Sequence, residues 1–416
     1  MEKLAIHGGD QAIAKIYQTF VHPQISGEFF KKMNDEYFRV QIASFESPII
    51  AKLQQLAKDY FGLKHVLPTN SGTSALFEMF YASGLQRGDE VIVPAYTYFA
   101  TVNPLFVLGC TPVLVDCRDN GSIDPDEIRK KITSKTKAIV ITHMWGIPCD
   151  MDEIMELSRR YEIPVLEDAS HAHGAHYQGK MIGTFGKCAA WSMGSRKLIS
   201  GGQGGLLGTN DDEVFQKAVL LGGSNIKRRP EVNLKHLLPY NVSGVGLNLR
   251  MHPYAAALLI DQFEHYRQQV HERNETAEFF LKEIEKIPGL SIPRTPDESK
   301  LVWYVFPILY NPQYFNNVSR DKFVEALYAE GAGDVEIPTN MPPLTDFTIF
   351  NERGVHFDRP EKIKHYYQTG EFKNAEKFHA SMIRLPVWYG EKRFEYARAH
   401  VAAIKKVIEH IGEFRA

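Results

Sequence analysis

The sequence is poor in cysteine and in long apolar runs. Its four cysteines are widely spaced and form no C-x-x-C pair: Cys110, Cys117, Cys149 and Cys188. We therefore expect small buried thiols in a reduced, cytoplasmic protein. No run approaches the roughly eighteen apolar residues of a transmembrane helix, and the first residues, MEKLAIHGGDQAIAK, lack the apolar core of a signal peptide. A membrane protein is not expected.

An excess of charge of one sign is also missing. The chain has 48 basic and 50 acidic residues, which gives a formal net charge of −2. Without a stripe of Lys and Arg, the sequence offers no electrostatic footprint for nucleic acid. We expect the partner to be a small molecule or a second copy of the chain.

The usual nucleotide-binding motifs are absent as well. The sequence contains no P-loop, and Gly202, Gly204 and Gly208 form G-x-G-x-x-x-G, one residue off the dinucleotide fingerprint. These glycines also precede a predicted strand, whereas fingerprint glycines follow a strand and open a helix. Their order argues against a nicotinamide-dependent oxidoreductase.

What the sequence does contain is an alternation of apolar runs and helical patterns, from about residue 60 to 220. Runs such as DEVIVPA and IPVLEDA are nearly continuous in Val, Ile and Leu, as expected when helices cover both faces of a sheet. The pattern predicts an α/β domain with a mostly parallel sheet. Two more strands are predicted at CAAWSM and GGLLGT, and a long helix over residues 253–287 leads into a smaller α+β domain.

The segment TNSGTSAL places Ser71, Gly72 and Thr73 after a predicted strand and at the start of a helix. A helix N-terminus offers unpaired N–H groups and the positive end of the helix dipole, which suit a phosphate. An ordinary helix N-cap is the alternative.

The segment VLEDASHAHGAH ends a buried strand with Glu167 and Asp168 and continues with His171, His173 and His176. Three histidines and an acid are compatible with a metal site, whose geometry the sequence does not give. Structural histidines, or a role for His171 at a cofactor, are the alternatives. The acid at the sheet edge could pair with a cationic ring nitrogen.

The segment WSMGSRKLISGGQGG places Lys197 between serines and glycines. A lysine that reacts with an aldehyde needs partial burial or a nearby cation, such as Arg196, to lower its pKa. A solvated loop lysine and a phosphate ligand are the alternatives. Pyridoxal phosphate (PLP) is the cofactor that requires a lysine, a phosphate cradle and an acid for its ring nitrogen.

Together these segments resemble a known family, the DegT/StrS-type sugar aminotransferases, which are PLP enzymes of the aspartate aminotransferase fold. The resemblance rests on TNSGTSAL, DEVIVPAYTYFAT, EDASHAHGA, WSMGSRKLISGGQGG and VGLNLRM, which occur in the family's order. It implies an N-terminal arm (1–40), a large PLP-binding α/β domain (41–270) with a mostly parallel sheet, and a smaller α+β C-terminal domain (271–416).

The resemblance implies a role for each matching position near the cofactor ring. Lys197 would bind the cofactor covalently and shuttle the proton during amino transfer. Asp168 would keep the pyridinium nitrogen protonated, and His171 would lie near the phenolic oxygen of the ring. Tyr98 would stack on the ring. No metal is implied.

Further roles follow for residues around the ring. Gly72, Thr73 and Ser192 would bind the phosphate. Asn248 resembles a residue contributed by the neighbouring subunit, so the resemblance implies a homodimer with shared active sites. Arg250 is a candidate for the carboxylate of the amino donor.

Two positions depart from the family's usual residues. Gln203 occupies the place of a Glu, and His171 that of the more frequent Gln. Both changes keep hydrogen-bonding capacity, but they leave the substrate open. Histidine at this place also resembles members that act on aminocyclitols or make aminohydroxybenzoate.

The expected function is transfer of an amino group from L-glutamate or L-glutamine to a keto- or aldehydo-sugar or a keto-cyclitol, in amino-sugar or natural-product biosynthesis. A PLP-dependent sugar dehydratase or an aminohydroxybenzoate-synthase-like enzyme is the alternative, although Lys197 stands where the dehydratases commonly have His. A non-catalytic regulatory subunit is a third hypothesis. The irregular, Pro-rich segment 337–354 is predicted to line the acceptor pocket.

Overall fold

The computed structural model describes residues 3–13, 25, 27–32, 47–351 and 367–414. Part of the predicted N-terminal arm and the end of the segment 337–354 lie outside these residues. Within the described ranges, no helix combines the length and the hydropathy needed to cross a membrane.

The strands follow one another along the chain as β1 (His65–Thr69), β2 (Glu90–Pro94), β3 (Thr111–Val115), β4 (Thr136–Thr142), β5 (Val165–Asp168), β6 (His176–Tyr177), β7 (Lys180–Met181), β8 (Cys188–Ser192), β9 (Gly205–Thr209), β10 (Leu290–Ser291), β11 (Ser299–Lys300), β12 (Phe306–Tyr310) and β13 (Met382–Leu385). The helices are α1 (Gly27–Lys32), α2 (Pro48–Phe61), α3 (Gly72–Ala82), α4 (Asn103–Val107), α5 (Pro125–Lys131), α6 (Met151–Tyr161), α7 (Asp212–Gly222), α8 (Asn225–Glu231), α9 (Pro253–Ile284), α10 (Arg320–Ala329), α11 (Thr348–Asn351), α12 (Lys373–Ser381) and α13 (Arg393–Glu409).

A seven-stranded sheet in the order β1-β9-β8-β5-β4-β2-β3 forms the centre of the large domain. Neighbouring strands from β8 to β3 pair in parallel, and β9 runs antiparallel to both β8 and β1. The predicted mostly parallel sheet is therefore confirmed, including the strands predicted at CAAWSM and GGLLGT. The carboxyl ends of the parallel strands meet at one edge, where ligands bind in open α/β sheets.

Helices cover both faces of this sheet, which explains the continuous apolar runs of the strands. One apolar core joins the sheet to α2, α5, α6 and the first part of α9. A second core joins the opposite face to α3, α4 and α7. In α6, for example, the buried residues Met151, Ile154 and Leu157 recur at helical spacing on one face. The sequence pattern had not predicted α2 or α7.

A smaller unit follows, built on the antiparallel sheet β10-β12-β13 with α10, α13 and the end of α9. The described start of the chain belongs to its core, because Leu4 and Ile13 are buried there. The backbone N–H groups of Ala5 and Ala12 donate to the carboxylate of Glu330, at 2.8 and 2.9 Å. Lys406 Nζ donates to the same carboxylate at 3.0 Å.

The helix α9 links the two units without interruption. It begins at Pro253 as predicted and ends at Ile284, three residues before the predicted end. Its first part, up to Tyr266, belongs to the core of the large domain, and its last part, from Ala277, to that of the small one. The predicted limit between residues 270 and 271 therefore lies inside one helix, and the domain limits stay a prediction.

Candidate active site

A cavity of about 340 Å³ lies at the carboxyl edge of the central sheet. Its walls come from the start of α3, the loops after β2, β5 and β8, and two segments of the small unit. The lining residues are Ser71, Gly72, Thr73, Leu76, Tyr98, Ala100, Thr142, Asp168, Ser170, His171, Ser192, Gly194, Ser195, Arg196, Lys197, Gln203, Gly204, Tyr304, Asn340 and Met341. Most of the residues that the sequence singled out thus surround one space.

One end of the cavity is the N-terminus of α3. Ser71 caps this helix, since its Oγ accepts a hydrogen bond from the N–H of Ser74 at 3.0 Å. A Cβ on Gly72 would lie 2.5 Å from Cβ of Ser192, so only glycine lets the helix start approach β8 this closely. The result is a cradle of first-turn N–H groups and the hydroxyls of Thr73 and Ser192, which suits a phosphate.

Asp168, the last residue of β5, is only 4% exposed. Its Oδ2 accepts a hydrogen bond from Thr101 Oγ1 at 2.7 Å, and its Oδ1 accepts one from the N–H of Ser170 at 3.0 Å. These bonds fix the direction of the carboxylate at the wall of the cavity. A carboxylate held in this way can pair with a cationic ring nitrogen.

The neighbouring acid, Glu167, points away from the face on which Asp168 lies, because successive residues of a strand point to opposite faces. Its role is structural. It is fully buried and accepts hydrogen bonds from the N–H groups of Gly183, Phe185 and Gly186, at 2.7, 2.8 and 2.6 Å. The ring of His143 approaches it at 3.2 Å. Glu167 thus fastens the loop before β8 to the sheet.

The three histidines that follow point to different partners. The Nε2 of His173 lies 2.9 Å from the carbonyl oxygen of Ser192, and burial lowers its pKa to about 3. The Nδ1 of His176 lies 3.0 Å from the carbonyl oxygen of Gly174. In the described part of the chain, no group of three or more ligands is placed to hold a metal ion.

His171 alone of these histidines lines the cavity. Its ring lies parallel to that of Tyr304, with centroids 4.1 Å apart, and its Nδ1 accepts from the N–H of Trp145 at 3.4 Å. Trp145 is buried and has a left-handed backbone (φ 61°), a conformation that costs about 1–3 kcal/mol. Burial, with Lys197 second, lowers the pKa of His171 well below its usual value. A neutral ring whose Nδ1 accepts carries its proton on Nε2.

Lys197 lies in the loop after β8, partly buried, with its Nζ 5.1 Å from the centre of the Tyr304 ring. Burial lowers the pKa of its amine to about 8, and the charge of Asp168 opposes this shift. The expectation that Arg196 lowers this pKa is wrong, because the shift comes from burial, and the exposed Arg196 guanidinium lies 3.3 Å from Glu336. Lys197 is therefore not a solvated loop lysine: its lowered pKa makes the neutral, nucleophilic form more accessible near physiological pH, as in nucleophilic lysines.

Asn248 and Arg250 lie outside this cavity in their own chain. They border a separate cavity of about 320 Å³ beside α8. The backbone of Arg250 bridges to Thr69 at the end of β1. Asn248 or Arg250 could therefore act only at the Lys197 site of a second copy of the chain, and the roles assigned to them stay predictions.

Sequence reasoning missed Tyr304, which stacks on His171 and approaches Lys197. Tyr304 precedes β12, in a run that showed only an apolar strand pattern, so no local signal pointed to it. Asn340 and Met341, by contrast, fall in the segment predicted to line the acceptor pocket, and they border the cavity.

The residues present fit PLP by their chemistry. The cradle that a Cβ on Gly72 would fill suits the phosphate. The carboxylate of Asp168 suits the ring nitrogen, and the amine of Lys197, with its lowered pKa, suits a covalent bond to the aldehyde. Comparison with known proteins agrees with this fit.

The model of the DegT/DnrJ/EryC1/StrS aminotransferase family matches residues 26–398. The chain belongs to this family. GDP-perosamine synthase from Caulobacter vibrioides is 34% identical over 284 residues, which cover 68% of this chain and 74% of the relative. A dTDP-3-amino-3,6-dideoxy-alpha-D-galactopyranose transaminase from Aneurinibacillus thermoaerophilus is 31% identical over 332 residues, 79% of this chain and 82% of the relative.

Among solved structures, an aminotransferase from Psychrobacter cryohalolentis superposes with a TM-score of 0.81. That match is 24% identical and covers 95% of this chain and 100% of the other. The predicted fold is thereby confirmed. As a member of the DegT/DnrJ/EryC1/StrS family, the protein is a PLP-dependent aminotransferase, and amino-sugar transaminases are among its relatives.

Proposed function

We propose that this aminotransferase moves an amino group from L-glutamate or L-glutamine to the carbonyl carbon of a sugar or cyclitol. The observation that carries the proposal is the placement of Lys197. Its amine has a pKa lowered to about 8 and lines one cavity together with Asp168, His171 and the Gly72–Ser192 cradle.

Each of these groups has a task during amino transfer. When bound, PLP supplies an electron sink that stabilises the carbanion next to the transferred nitrogen. Lys197 Nζ can take a proton from the donor carbon and return one to the acceptor carbon, because an amine with a pKa near the working pH does both well. Asp168 holds a positive charge at the ring nitrogen, and His171 Nε2 offers a hydrogen-bond donor at the cavity wall. Gly72 and Ser192 hold the phosphate.

The acceptor class rests on the family and on the shape of the site. The named relatives make GDP-perosamine or aminate a dTDP-linked sugar, and a histidine at position 171 also resembles members that act on cyclitols. Asn340 and Met341 of the segment 337–354 border the cavity. Their position supports the proposal that this segment contacts the acceptor.

We further propose a homodimer with shared active sites. Large apolar side chains between α7 and the start of α9 are exposed in the single chain, namely Ile226, Leu238, Tyr240, Val242, Val245, Leu247 and Tyr254. Such a concentration of exposed apolar side chains in one stretch of the chain is typical of an interface with another chain. Asn248 lies in the same stretch, which supports its proposed contribution to the cavity of a second copy.

Substitution of Lys197 by Ala tests the central assignment. We expect the variant to keep its fold and lose transamination, while Lys180→Ala, a change at an exposed lysine, leaves the rate unaltered. The assay is a panel of keto-sugars, keto-cyclitols and sugar aldehydes, with glutamate and glutamine as donors. Transamination by Lys197→Ala at the wild-type rate would overturn the assignment.

Analysis of the products of this assay, together with a visible absorption spectrum, separates the alternatives. Loss of a hydroxyl from the sugar without gain of nitrogen would indicate a dehydratase. A wild-type protein that stays colourless after incubation with PLP would indicate a non-catalytic subunit. A visible absorption band that shifts on addition of glutamate or glutamine supports the aminotransferase.

A further inference from the structure

The aromatic ring of Tyr304 is in contact with the amine of Lys197. The Nζ atom lies over this ring, 5.1 Å from its centre. A cation within about 6 Å of the face of an aromatic ring is attracted by the negative charge density of that face, most strongly where water is excluded. The ring therefore favours the protonated form of the amine over the neutral one.

Both units of the protein hold Tyr304 in this position. The segment before it belongs to the large domain, because β11 pairs with β6 and Val302 is buried in the large-domain core. The next residue, Trp303, is buried in the core of the small unit and has a left-handed backbone (φ 43°). Tyr304 thus follows the point where the chain crosses from one unit to the other, and packing in both units fixes its place.

The turn after β4 confines the ring of Tyr304 further. A Cβ on Gly146, which has a φ of 90°, would lie 3.1 Å from the backbone nitrogen of Tyr304 and 3.2 Å from the carbonyl oxygen of His171. The turn therefore packs closely against both residues, whose rings are stacked with centroids 4.1 Å apart. Burial lowers the pKa of His171 well below its usual value, so its neutral imidazole does not compete with Lys197 for the ring.

The charged groups around Lys197 have other partners. A cavity of about 310 Å³ adjoins the first and shares Lys197 and Tyr304 with it. The charged side chains that line the two cavities, besides Lys197, are Asp168, Arg196, Arg273, Asp334, Glu336 and Arg384. Arg196 and Arg384 both pair with Glu336, and Asp334 lies 2.7 Å from His400. Arg273 donates to a backbone carbonyl oxygen at 2.7 Å.

The carboxylate of Asp168 is the charge that favours a protonated Lys197. Burial lowers the pKa of the amine to about 8, and the charge of Asp168 opposes this shift. In the proposed function the same carboxylate pairs with the positive ring nitrogen of the cofactor, and this pairing weakens its attraction for the ammonium. A protonated Lys197 then needs a second source of stabilisation. The ring of Tyr304 is uncharged, so cofactor binding does not neutralise it.

We propose that Tyr304 is a catalytic residue, whose ring holds the protonated amine of Lys197 during the two proton transfers. The proposal rests on the proposed function, because it adds a group to the same reaction. When the proton leaves the donor carbon, the electron pair of the C–H bond stays on that carbon and the lone pair of Nζ forms the new N–H bond. The cation made in this step lies over the ring. When Nζ gives a proton to the acceptor carbon, the charge is removed again.

Fluorination of the ring tests the proposal with little change of shape. Fluorine withdraws electron density from the face of the ring, so Tyr304→Phe, Tyr304→4-fluorophenylalanine and Tyr304→pentafluorophenylalanine form a graded series. Competitive acetylation of the cofactor-free protein, with mass spectrometry, gives the pH midpoint of Lys197. The Phe variant should keep the wild-type midpoint, and the pentafluoro variant should lie about 0.5–1.5 pH units lower, with the monofluoro variant between them.

Two controls accompany this series. Tyr314→pentafluorophenylalanine places the same ring at a tyrosine that is 62% exposed, and it should leave the midpoint of Lys197 unchanged. An unchanged PLP affinity shows that each Tyr304 variant is folded. The monofluoro variant differs from Phe by a single atom, so it keeps the series interpretable even if the pentafluoro variant does not fold.

A second measurement tests the catalytic part of the proposal. The PLP-loaded enzyme, without an acceptor, should exchange the α-hydrogen of glutamate or glutamine for solvent deuterium, which NMR follows. On the high-pH plateau, where the amine is neutral in every variant, the pentafluoro variant should exchange about three- to tenfold more slowly than the Phe variant. The reason is that the ammonium formed by proton uptake is less stabilised.

Four outcomes would overturn the proposal. They are equal midpoints across the series, a midpoint that falls fully in Tyr304→Phe, an equal fall in the Tyr314 control, and undiminished plateau exchange in the pentafluoro variant. The second would assign the effect to the hydroxyl instead of the ring. A wild type whose midpoints follow the series and that exchanges the donor hydrogen, yet transaminates no acceptor, would count against the proposed function alone.

Discussion

The imidazole of His171 lies flat on the phenol ring of Tyr304, with the centroids 4.1 Å apart and the planes inclined by 6°. One ring belongs to the loop after β5 of the large domain and the other to the segment before β12 of the small unit. Trp145 completes the arrangement, with its ring 5.6 Å from His171 and 6.4 Å from Tyr304. The side chain that is expected near the phenolic oxygen of the cofactor is therefore oriented by residues far away in the sequence.

Replacing Tyr304 by Leu should lower kcat/KM by up to about tenfold, since an aromatic pair contributes about 0.5–1.5 kcal/mol beyond its buried area. Tyr304→Phe keeps the stack and should retain most of the activity. Steady-state kinetics of both variants check this, with PLP affinity as the control for folding. If Phe were as damaging as Leu, the hydroxyl and not the ring would be the important group.

Gly72→Ala should weaken PLP binding by at least an order of magnitude in affinity, the loss of one or two charge-assisted hydrogen bonds. The added methyl group would lie 2.5 Å from Cβ of Ser192, so α3 or β8 must shift and open the cradle. Fluorescence titration of the cofactor-free protein measures the change. Gly27→Ala, where a Cβ meets nothing within 4 Å, is the matched control. Equal affinities of the two variants would refute the phosphate assignment.

The amine of Lys197 should lose its proton at unusually low pH. Its pKa is lowered to about 8, so the nucleophilic neutral form grows as the pH rises through 8, whereas a lysine in a peptide needs a pH of about 10.4. Competitive acetylation of the cofactor-free protein, with mass spectrometry of the Lys197 peptide, gives this midpoint. Because the charge of Asp168 raises this pKa, Asp168→Asn should move the midpoint further down. A midpoint near 10 in the wild type would contradict the placement.

Glu167→Gln should destabilise the fold by about 2–4 kcal/mol, because an amide NH₂ would face buried backbone donors. The carboxylate now accepts from the N–H groups of Gly183, Phe185 and Gly186. Urea unfolding of the cofactor-free protein measures the loss. Asp168→Asn, one residue along, should cost little stability and abolish transamination. The prediction fails if the two variants exchange these phenotypes.

Mixed dimers test the proposed contribution of Asn248 to a second copy. Lys197→Ala and Asn248→Ala should each be inactive as homodimers. When the two are refolded together, half of the dimers are mixed and carry one intact site, so about a quarter of the wild-type activity should return in a two-fold symmetric dimer. Activity that does not return on mixing, from two stable dimeric variants, would place Asn248 in the site of its own chain.

The sequence predicted the part of the site that local motifs encode. Gly72, Asp168 and Lys197 each lie where a strand of the large domain ends, and the carboxyl edge of a parallel sheet brings such residues together whatever their separation. Tyr304 could not be predicted in this way. It comes from the segment before β12, and its approach to Lys197 depends on how α9 sets the small unit against the sheet, which no local pattern encodes. The suggestion that Arg196 lowers the pKa of Lys197 was wrong, because residues adjacent in sequence can point in different directions. The Arg196 side chain pairs with Glu336.

The contact between Glu330, the first described residues and α13 bears on how the chain is synthesised. Leu4 and Ile13 are buried in a core that includes Ile404 and Val407 of α13, and the amine of Lys406 donates to Glu330 and to the carbonyl oxygen of Asp10. During translation the apolar side chains of residues 3–13 therefore stay exposed until α13 has left the ribosome. The large domain can complete its sheet earlier, because β1 to β9 are contiguous in the chain. The small unit is thus expected to fold last, and a ribosome stalled before residue 393 should expose residues 3–13 to proteolysis.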